Sequence, residues 1–320
     1  MSKVKNYLSL IKFSHTIFAM PFAFIGFIIG ISSLLSIPYV KIHKDLIQTT
    51  WQKTNVYLIN NYYFFILIVL CMIFARSAAM AFNRYLDRNI DAKNPRTAIR
   101  EIPKGIITAK NALAFTIVNC ILFIACCFFI NKLCFYLSPV ALAVVLGYSY
   151  TKRFTPLCHL ILGLGLSLAP IGAYLAVTGQ FALLPILFSI AVIFWVSGFD
   201  IIYALQDEEF DKSQQLYSIP AWVGKAKALS VSEFLHLLSA ATIVFAGYYG
   251  NFGWLYWIGT AIFVLMLGYQ HSIVKPNDLR RVNLCIYDSK RNCLQLFSPS
   301  LLLQIYSSIP NSSFCQEYFV

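Results

Sequence analysis

The chain is poor in charge, and poorest in acidic charge. Only 12% of its 320 residues are charged, and 13 of them are Asp or Glu. Because soluble domains average about a quarter charged residues, this shortage argues against a water-soluble enzyme. Hydrophobic residues make up 59% of the chain, and the mean hydropathy is +0.69. The composition therefore predicts a polytopic membrane protein.

The nine cysteines lack any metal-binding pattern. No CxxC pair occurs and no Cys/His spacing suits zinc, so we interpret the cysteines as small hydrophobic residues.

The N-terminus also lacks a small-residue cleavage site, and we expect the first apolar helix to stay in the mature protein. The chain has a net charge of +12. The Lys and Arg residues that produce it lie between apolar runs, a pattern that indicates cytoplasmic loops rather than a nucleic-acid-binding surface.

Eight apolar stretches are about 17 to 25 residues long, the length that crosses a bilayer core as a helix. They cover residues 16–36, 62–82, 111–130, 133–150, 158–177, 181–199, 229–249 and 252–269. Lys and Arg concentrate in the N-terminus and in the even-numbered connections, which the positive-inside rule assigns to the cytoplasm. We therefore expect an all-α fold, a polytopic transmembrane helical bundle of eight spans.

The stretch after the last apolar segment departs from this pattern. It contains an apolar run over 294–306, interrupted by Pro299, and about 13 residues are too few to span a bilayer. We divide the chain into a helical bundle over 1–284 and an atypical C-terminal tail over 285–320. The tail would be an interfacial segment, a distorted ninth helix or the product of an altered reading frame.

Eight of the 13 acidic residues fall in two segments on the cytoplasmic side. In the first segment, Asn83, Asp87 and Asp91 are spaced four residues apart. Each step of four turns a helix by about 40° and advances it by about 6 Å, so the three side chains would line one helix face. The pattern predicts a row of hard oxygen ligands.

The second segment repeats this arrangement with different spacing. Asp200, Asp207 and Asp211 are seven and four residues apart, which returns the three side chains to within about 40° on a helix. Each segment follows an apolar stretch at its cytoplasmic end. The two rows of oxygen ligands could therefore face each other.

Two facing carboxylate rows repel each other unless cations lie between them. Mg²⁺ is the hard cation that takes one or two carboxylates and leaves coordination positions for phosphate oxygens, so a diphosphate bridged by Mg²⁺ is the expected guest. Five basic residues could neutralise the remaining phosphate charge: Arg76, Arg88, Arg96, Lys152 and Arg153. Because charge is costly in lipid, we expect Arg76 to face the bundle interior.

The two motifs together closely resemble those of the UbiA superfamily of intramembrane prenyltransferases. Within it, the chain is most similar to the 4-hydroxybenzoate polyprenyltransferase-like branch, over about residues 5–284. The flanking stretches that share the resemblance are IKFSHTIFAMPFAF, DAKNPRTAIREIPKGIIT, GYSYTKRFTP, DIIYALQDEEFD and HSIVKPNDLRRVNL. The resemblance implies an all-helical bundle, normally of nine transmembrane helices, around a central cavity that opens into lipid.

The resemblance also implies roles for particular residues. The metal ligands would be Asn83, Asp87, Asp91, Asp207 and Asp211, and the four aspartates among them would be essential for catalysis. The substrate-binding candidates are Asn83, the five basic residues named above, Asp200, Tyr203 and Lys12. Relatives that act on 4-hydroxybenzoate often have Arg near the start of the first helix for the acceptor carboxylate, whereas this chain has Lys12 and His15 there instead. Many relatives have Asp directly after the motif Asn, where this chain has Arg84.

The implied reaction is Mg²⁺-dependent transfer of a polyprenyl group from polyprenyl diphosphate to a phenolic aromatic acid. It would take place at the cytoplasmic face of a bacterial inner membrane, with the donor tail extending among the lipids. The expected acceptor is 4-hydroxybenzoate, in ubiquinone biosynthesis, and the alternative is a dihydroxynaphthoate, in menaquinone biosynthesis.

An alternative from another class is a membrane transporter whose acidic residues coordinate ions. Transporters place such residues near the bilayer midplane on broken helices, whereas these carboxylates lie at cytoplasmic helix ends. Two other ionisable residues, Glu233 and His236, lie near the cytoplasmic start of a later apolar stretch. We expect both to be ordinary interfacial residues rather than proton carriers.

Overall fold

The computed structural model describes residues 3–11, 13–36, 50–276, 278–279 and 282. Within these residues the chain is all-helical: it has no strand, and a single isolated bridge joins Lys275 to Asp278. The helices are α1 (Lys3–Leu10), α2 (Phe13–Ser36), α3 (Thr50–Leu86), α4 (Arg88–Lys93), α5 (Ala109–Ile130), α6 (Lys132–Thr151), α7 (Cys158–Thr178), α8 (Leu183–Ala204), α9 (Glu208–Ser213), α10 (Ile219–Val223), α11 (Lys225–Tyr249) and α12 (Trp254–Ile273). Lys12 and the predicted tail, 285–320, lie outside the described residues.

Six segments of the described chain are long and apolar enough to cross a membrane: Tyr62–Leu86, Ala109–Ile130, Lys132–Thr151, Cys158–Thr178, Leu183–Ser213 and Lys225–Tyr249. The other two apolar stretches expected from the sequence fall in α2 and α12. All eight stretches are therefore helical, and six of them also meet the length and hydropathy requirements of a span. The count of eight spans stays a prediction.

Short turns with side-chain caps join the long helices. Asn131 caps α6 by accepting a hydrogen bond from the Cys134 amide at 2.8 Å, and it donates one to the Leu175 carbonyl oxygen at 2.8 Å. The Asn131 side chain thus provides a hydrogen-bond partner for a free backbone amide in the first turn of α6, and it connects this turn to the end of α7. Gly179 ends α7 with φ of 67°, a left-handed conformation that costs glycine little.

Close helix packing forms the centre of the bundle. α8 packs most extensively against α7 and α11, and α2 packs along α7. At Gly26 of α2 the backbones approach so closely that an added Cβ would lie 1.8 Å from the Pro170 carbonyl oxygen. Phe22 and Trp195 pack against each other beside this crossing, with ring centroids 5.5 Å apart and the ring planes tilted by 54°. A small residue at position 26 lets the two helices meet.

Large apolar side chains cover the outer faces of the bundle. Phe129, Tyr136, Tyr248 and Leu265 are each more than two-thirds exposed. A water-soluble monomer rarely exposes apolar surface on this scale. The outer surface is that of a bundle embedded in lipid.

His236 is buried, which corrects the expectation of an interfacial residue. Its side chain is 2% exposed and lies between α8 and α12. It donates from Nε2 to the Trp195 carbonyl oxygen at 3.2 Å, and its Nδ1 accepts a hydrogen bond from Nε2 of His271 at 2.8 Å. The sequence prediction failed because the partner on α12 is distant in the chain.

The helices break at both acidic segments. α3 ends at Leu86 and α4 begins at Arg88, so that Asp87 lies at the junction. α8 ends at Ala204 and passes through a 3₁₀ turn, Leu205–Asp207, into α9. Asp87 and Asp207 therefore lie at breaks, and neither acidic segment is the uninterrupted helix that the spacing argument assumed.

Candidate active site

The first acidic segment keeps its predicted row despite the helix break. The Asp87 amide donates to the Asn83 carbonyl oxygen at 2.9 Å, and the Asp91 amide donates to the Asp87 carbonyl oxygen at 2.7 Å. These bonds preserve the helical spacing of four across the junction. The Asn83 side-chain amide donates to Oδ2 of Asp87 at 3.3 Å. Both aspartates are buried, so each carboxylate needs a cation partner.

Asp87 receives two basic side chains from the turn after α6. The Lys152 ammonium lies 3.4 Å from Oδ2, and the Arg153 guanidinium lies 3.1 Å from Oδ1. Arg153 also donates to the Leu86 carbonyl oxygen at 2.9 Å, which is left without an intrahelical partner at the end of α3. The turn after α6 thus contacts the first acidic segment directly.

Asp91 pairs with two arginines of its own region. Arg100 donates to Oδ1 at 2.6 Å, and Arg84 lies 3.9 Å from Oδ2. Oδ2 itself is buried and makes no hydrogen bond to any residue in the described part of the chain. One carboxylate oxygen of Asp91 is therefore free to coordinate a ligand.

The loop after α4 contacts the second acidic segment. Arg96 donates from Nε to Oδ1 of Asp207 at 3.0 Å, pairs through Nη2 with Oδ2, and donates from Nη1 to the Tyr203 hydroxyl at 2.6 Å. Asn94 donates to Oδ1 of Asp207 at 3.4 Å. Burial lowers the pKa of Arg96, but the Tyr203 hydroxyl and the Asp207 carboxylate outweigh it and raise that pKa above its ordinary value. Arg96 therefore stays protonated.

Two further contacts join the acidic segments into one site. Lys93 donates to the side-chain oxygen of Gln214 at 3.2 Å. Lys152, which contacts Asp87, also lies within electrostatic range of Asp211. Asp211 is buried. The two segments, more than 100 residues apart in the chain, are therefore joined by polar and charged side chains at the same end of the bundle.

The donor atoms of this site fit a divalent cation of the Mg²⁺ type. They are carboxylate oxygens and one amide, which are hard ligands, and Oδ2 of Asp91 has no hydrogen bond to a described residue. Among the residues that the structure describes, no three His, Cys, Asp or Glu side chains converge on a metal position. Mg²⁺ commonly binds through one or two carboxylates, with water and phosphate oxygens completing the shell. The residues therefore fit Mg²⁺ bound together with a phosphate ligand.

An apolar cavity of about 330 Å³ lies between α3, α5, α6 and α7. Its walls include the free thiols of Cys71, Cys127 and Cys134, as expected for small hydrophobic residues. Arg76 and Tyr148 are polar exceptions among its lining residues. Nε of Arg76 is buried and makes no hydrogen bond to a described residue. Arg76 faces the bundle interior, as predicted from the cost of charge in lipid.

The structure separates the predicted basic residues into three groups. Arg96, Lys152 and Arg153 contact the aspartates, whereas Arg76 lines the cavity. Arg88 instead donates to the Tyr85 carbonyl oxygen at 2.7 Å and stacks over the Tyr85 ring. In the described part of the chain it does not join the acidic cluster.

Four residues near the site were not candidates from the sequence. They are Arg84, Asn94, Arg100 and His159. The first three lie beside motif residues in a basic segment, so the charge pattern offered a signal for them. His159 pairs with Asp200 at 2.7 Å, and nothing in its local sequence indicated that partner.

Comparison with known families gives a match over most of the chain. Residues 56–287 match the model of the UbiA prenyltransferase family. The chain is 30% identical over 213 residues to a 4-hydroxybenzoate octaprenyltransferase of Alcanivorax borkumensis, covering 67% of this chain and 73% of that protein. It is 30% identical over 227 residues to the 4-hydroxybenzoate octaprenyltransferase of Cupriavidus pinatubonensis, covering 67% and 77%.

Solved structures share the fold. A UbiA homolog from Aeropyrum pernix, solved in its apo form, superposes with a TM-score of 0.70 at 29% identity, over 92% of this chain and 96% of that one. A UbiA homolog from Archaeoglobus fulgidus, solved with GPP and Mg²⁺, superposes with a TM-score of 0.59 at 18% identity, over 92% and 99%. The second likeness, at its low identity, concerns the fold alone.

Proposed function

Because the chain belongs to the UbiA prenyltransferase family, we propose that it transfers a polyprenyl group from polyprenyl diphosphate to 4-hydroxybenzoate, the prenylation step of ubiquinone biosynthesis. The observation that carries the proposal is that basic residues contact both acidic segments, at one end of the bundle and next to an apolar cavity. The acidic segments with their basic residues suit a Mg²⁺-bound diphosphate, and the apolar cavity suits a polyprenyl chain. The names of the curated relatives support the same reaction.

Mg²⁺ is the proposed cofactor, held by Asn83, Asp87, Asp91, Asp207 and Asp211. Its support is the hard-oxygen donor set with the free Oδ2 of Asp91, together with the Mg²⁺ bound to the UbiA homolog from Archaeoglobus fulgidus. When bound, Mg²⁺ neutralises the charge of the departing diphosphate as a Lewis acid.

The basic residues around the aspartates complete this neutralisation. Arg96, Lys152 and Arg153 each contact a carboxylate and can move part of their hydrogen bonding to phosphate oxygens. Guanidinium groups donate two parallel hydrogen bonds to phosphate. Such donors stabilise the charge that develops on the leaving group as the C–O bond breaks.

The apolar cavity protects the reactive part of the donor. An allylic carbocation reacts with water unless water is excluded, and the walls here are almost entirely hydrophobic. The electron-rich carbon beside the acceptor's phenol hydroxyl then attacks, and the ring loses a proton. The chain contributes exclusion of water and orientation of the two reactants.

Arg76 is the proposed partner of the acceptor carboxylate. Its side chain lines an apolar cavity, and its buried Nε makes no hydrogen bond to a described residue. A buried cation without an anion is costly, and a benzoate would supply the missing charge. Lys12, the sequence-based candidate for this role, lies outside the described residues, and its part in acceptor binding stays a prediction.

The proposal includes a location and an extent. We place the prenyltransferase bundle in residues 1–284, with eight spans in a bacterial inner membrane and the acidic segments facing the cytoplasm. The support is the excess of Lys and Arg in the connections on the acidic side. Tyr203 and Asp200 complete the proposed substrate-binding residues.

The test compares acceptors with the purified protein in lipid, Mg²⁺ and a labelled polyprenyl diphosphate. 4-Hydroxybenzoate, a dihydroxynaphthoate and 4-hydroxybenzamide are supplied in parallel, and products are identified by mass. We expect a prenylated product from 4-hydroxybenzoate and a strongly reduced rate with the amide, which lacks the carboxylate. A faster reaction with the dihydroxynaphthoate would assign the chain to menaquinone biosynthesis instead.

A further inference from the structure

His159 occupies a buried position between three helices. It lies in the first turn of α7 and is 3% exposed. Its Nδ1 is 2.7 Å from Oδ2 of Asp200 on α8, and its Nε2 is 3.3 Å from the amide nitrogen of Ile219 at the start of α10. Both ring nitrogens therefore have a partner.

These contacts fix the tautomer of the imidazole. The backbone amide of Ile219 can only donate, so Nε2 accepts and carries no proton. Nδ1 must then carry the proton and donate to the Asp200 carboxylate. A neutral His159 thus satisfies one oxygen of an ionised Asp200.

Asp200 lies near the end of α8, where the second acidic segment begins. Tyr148, which lines the cavity, is within electrostatic range of Arg76, Asp87 and Asp200. The Asp200 side chain is 29% exposed. Its second oxygen, Oδ1, makes no hydrogen bond to any described residue, so the carboxylate keeps a free acceptor atom.

We infer that His159 is a positioning residue that holds Asp200 so that Oδ1 accepts the hydrogen bond of the acceptor's phenol hydroxyl. This inference rests on the proposed function. Arg76 binds the carboxylate at one end of the aromatic acid, and Asp200 binds the hydroxyl at the other. The hydrogen bond to an anion raises electron density on the ring and orients the neighbouring carbon towards the prenyl donor.

A matched pair of substitutions separates the two contacts of His159. In His159→Asn the amide nitrogen takes the place of Nδ1 and can still donate to Asp200, while the contact with Ile219 is lost. In His159→Gln the amide oxygen takes the place of Nε2 and can still accept from Ile219, while the donor to Asp200 is lost. His159→Asn is one methylene shorter than His159→Gln and leaves the larger cavity, so a purely structural effect would be greater in His159→Asn.

The measurement is kcat and KM for 4-hydroxybenzoate and for the polyprenyl diphosphate, using the full chain in lipid, with thermal unfolding beside it. For His159→Gln we expect kcat/KM for the acceptor to fall about 10- to 100-fold, the usual loss when a partner behind an active-site ligand is removed. The KM for the diphosphate should stay within about twofold. His159→Asn should retain at least half of the wild-type kcat/KM for the acceptor, about 0.4 kcal/mol in transition-state terms.

A third variant tests whether His159 acts through Asp200. In an Asp200→Asn background, adding His159→Gln should lower the acceptor kcat/KM by less than about twofold further, because coupled residues are not additive. A greater loss in His159→Asn than in His159→Gln, or full additivity with Asp200→Asn, would overturn the inference while leaving prenyl transfer in place. No product from wild-type protein would instead contradict the proposed function and remove the inference with it.

Discussion

Arg96 donates from Nε to Oδ1 of Asp207 at 3.0 Å, and its other nitrogens contact Oδ2 and the Tyr203 hydroxyl. The loop that carries Arg96 directly follows the first acidic segment, whereas Asp207 belongs to the second. One guanidinium therefore closes the site across a separation of 111 residues. The bidentate geometry requires arginine, because a lysine ammonium is a single point charge.

Arg96→Lys should weaken donor use while preserving charge. Lysine lacks the planar guanidinium whose three nitrogens contact both Asp207 oxygens and the Tyr203 hydroxyl. We therefore expect kcat/KM for the polyprenyl diphosphate to fall about 10-fold, equivalent to roughly 1.4 kcal/mol. Steady-state kinetics in lipid measures this. Lys104→Arg, at an exposed position of the same loop, is the charge-preserving control and should match wild type. An Arg96→Lys variant with unchanged kinetics would argue against a role for the bidentate contact between the Arg96 guanidinium and Asp207.

Asp207→Asn should abolish most turnover without loss of membrane insertion. The amide keeps the size of the side chain but removes the charge that a divalent cation needs, so we expect kcat to fall at least about 10²-fold. Glu209→Gln lies two residues away, on a side chain that is 93% exposed. We expect that control to keep wild-type turnover, and equal losses in both variants would point to general damage of the segment.

The helices and the two acidic segments could be predicted because their signals are local. Long apolar runs give the helices, and the four-residue spacing of Asn83, Asp87 and Asp91 survives in the backbone hydrogen bonds across the break at Asp87. The cost of charge in lipid correctly predicted that Arg76 faces inward. Each of these arguments uses residues within one or two helical turns.

Contacts between distant segments could not be predicted in the same way. Arg88 and Arg96 look alike in the sequence, but Arg88 folds back onto Tyr85 while Arg96 crosses to Asp207. The burial of His236 depends on His271, and the role we infer for His159 depends on Asp200. These pairings depend on how α7, α8, α11 and α12 pack against one another. That packing cannot be predicted from any single stretch of the sequence.

Arg76→Met should separate activity from stability. We expect the KM for 4-hydroxybenzoate to rise about 10-fold or more, because the buried cation opposite the carboxylate is lost. Removing a buried charge from an apolar cavity should leave the melting temperature equal or higher. Kinetics and thermal unfolding in detergent measure both, with Lys110→Met at an exposed position as the control. A lowered melting temperature with unchanged KM would assign Arg76 a structural role.

Gly26→Ala should destabilise the bundle. The added Cβ would meet the Pro170 carbonyl oxygen at 1.8 Å, which forces α2 and α7 apart at a cost of about 1–3 kcal/mol. The matched control is Gly268→Ala on α12, where nothing lies within 4 Å of the added Cβ and the higher helix propensity of alanine favours folding. Thermal unfolding in detergent should rank Gly26→Ala below wild type and Gly268→Ala at or above it. The reverse order would show that the α2–α7 crossing is looser than described.

The most direct test of prenyl transfer measures two products in one reaction. Wild-type protein in lipid, given Mg²⁺, a labelled polyprenyl diphosphate and 4-hydroxybenzoate, should form prenylated acid and release diphosphate in equal amounts. EDTA should stop both products, and Asp207→Asn should form neither at an appreciable rate. Ion uptake into vesicles without diphosphate release, or product formation that EDTA does not affect, would contradict the account.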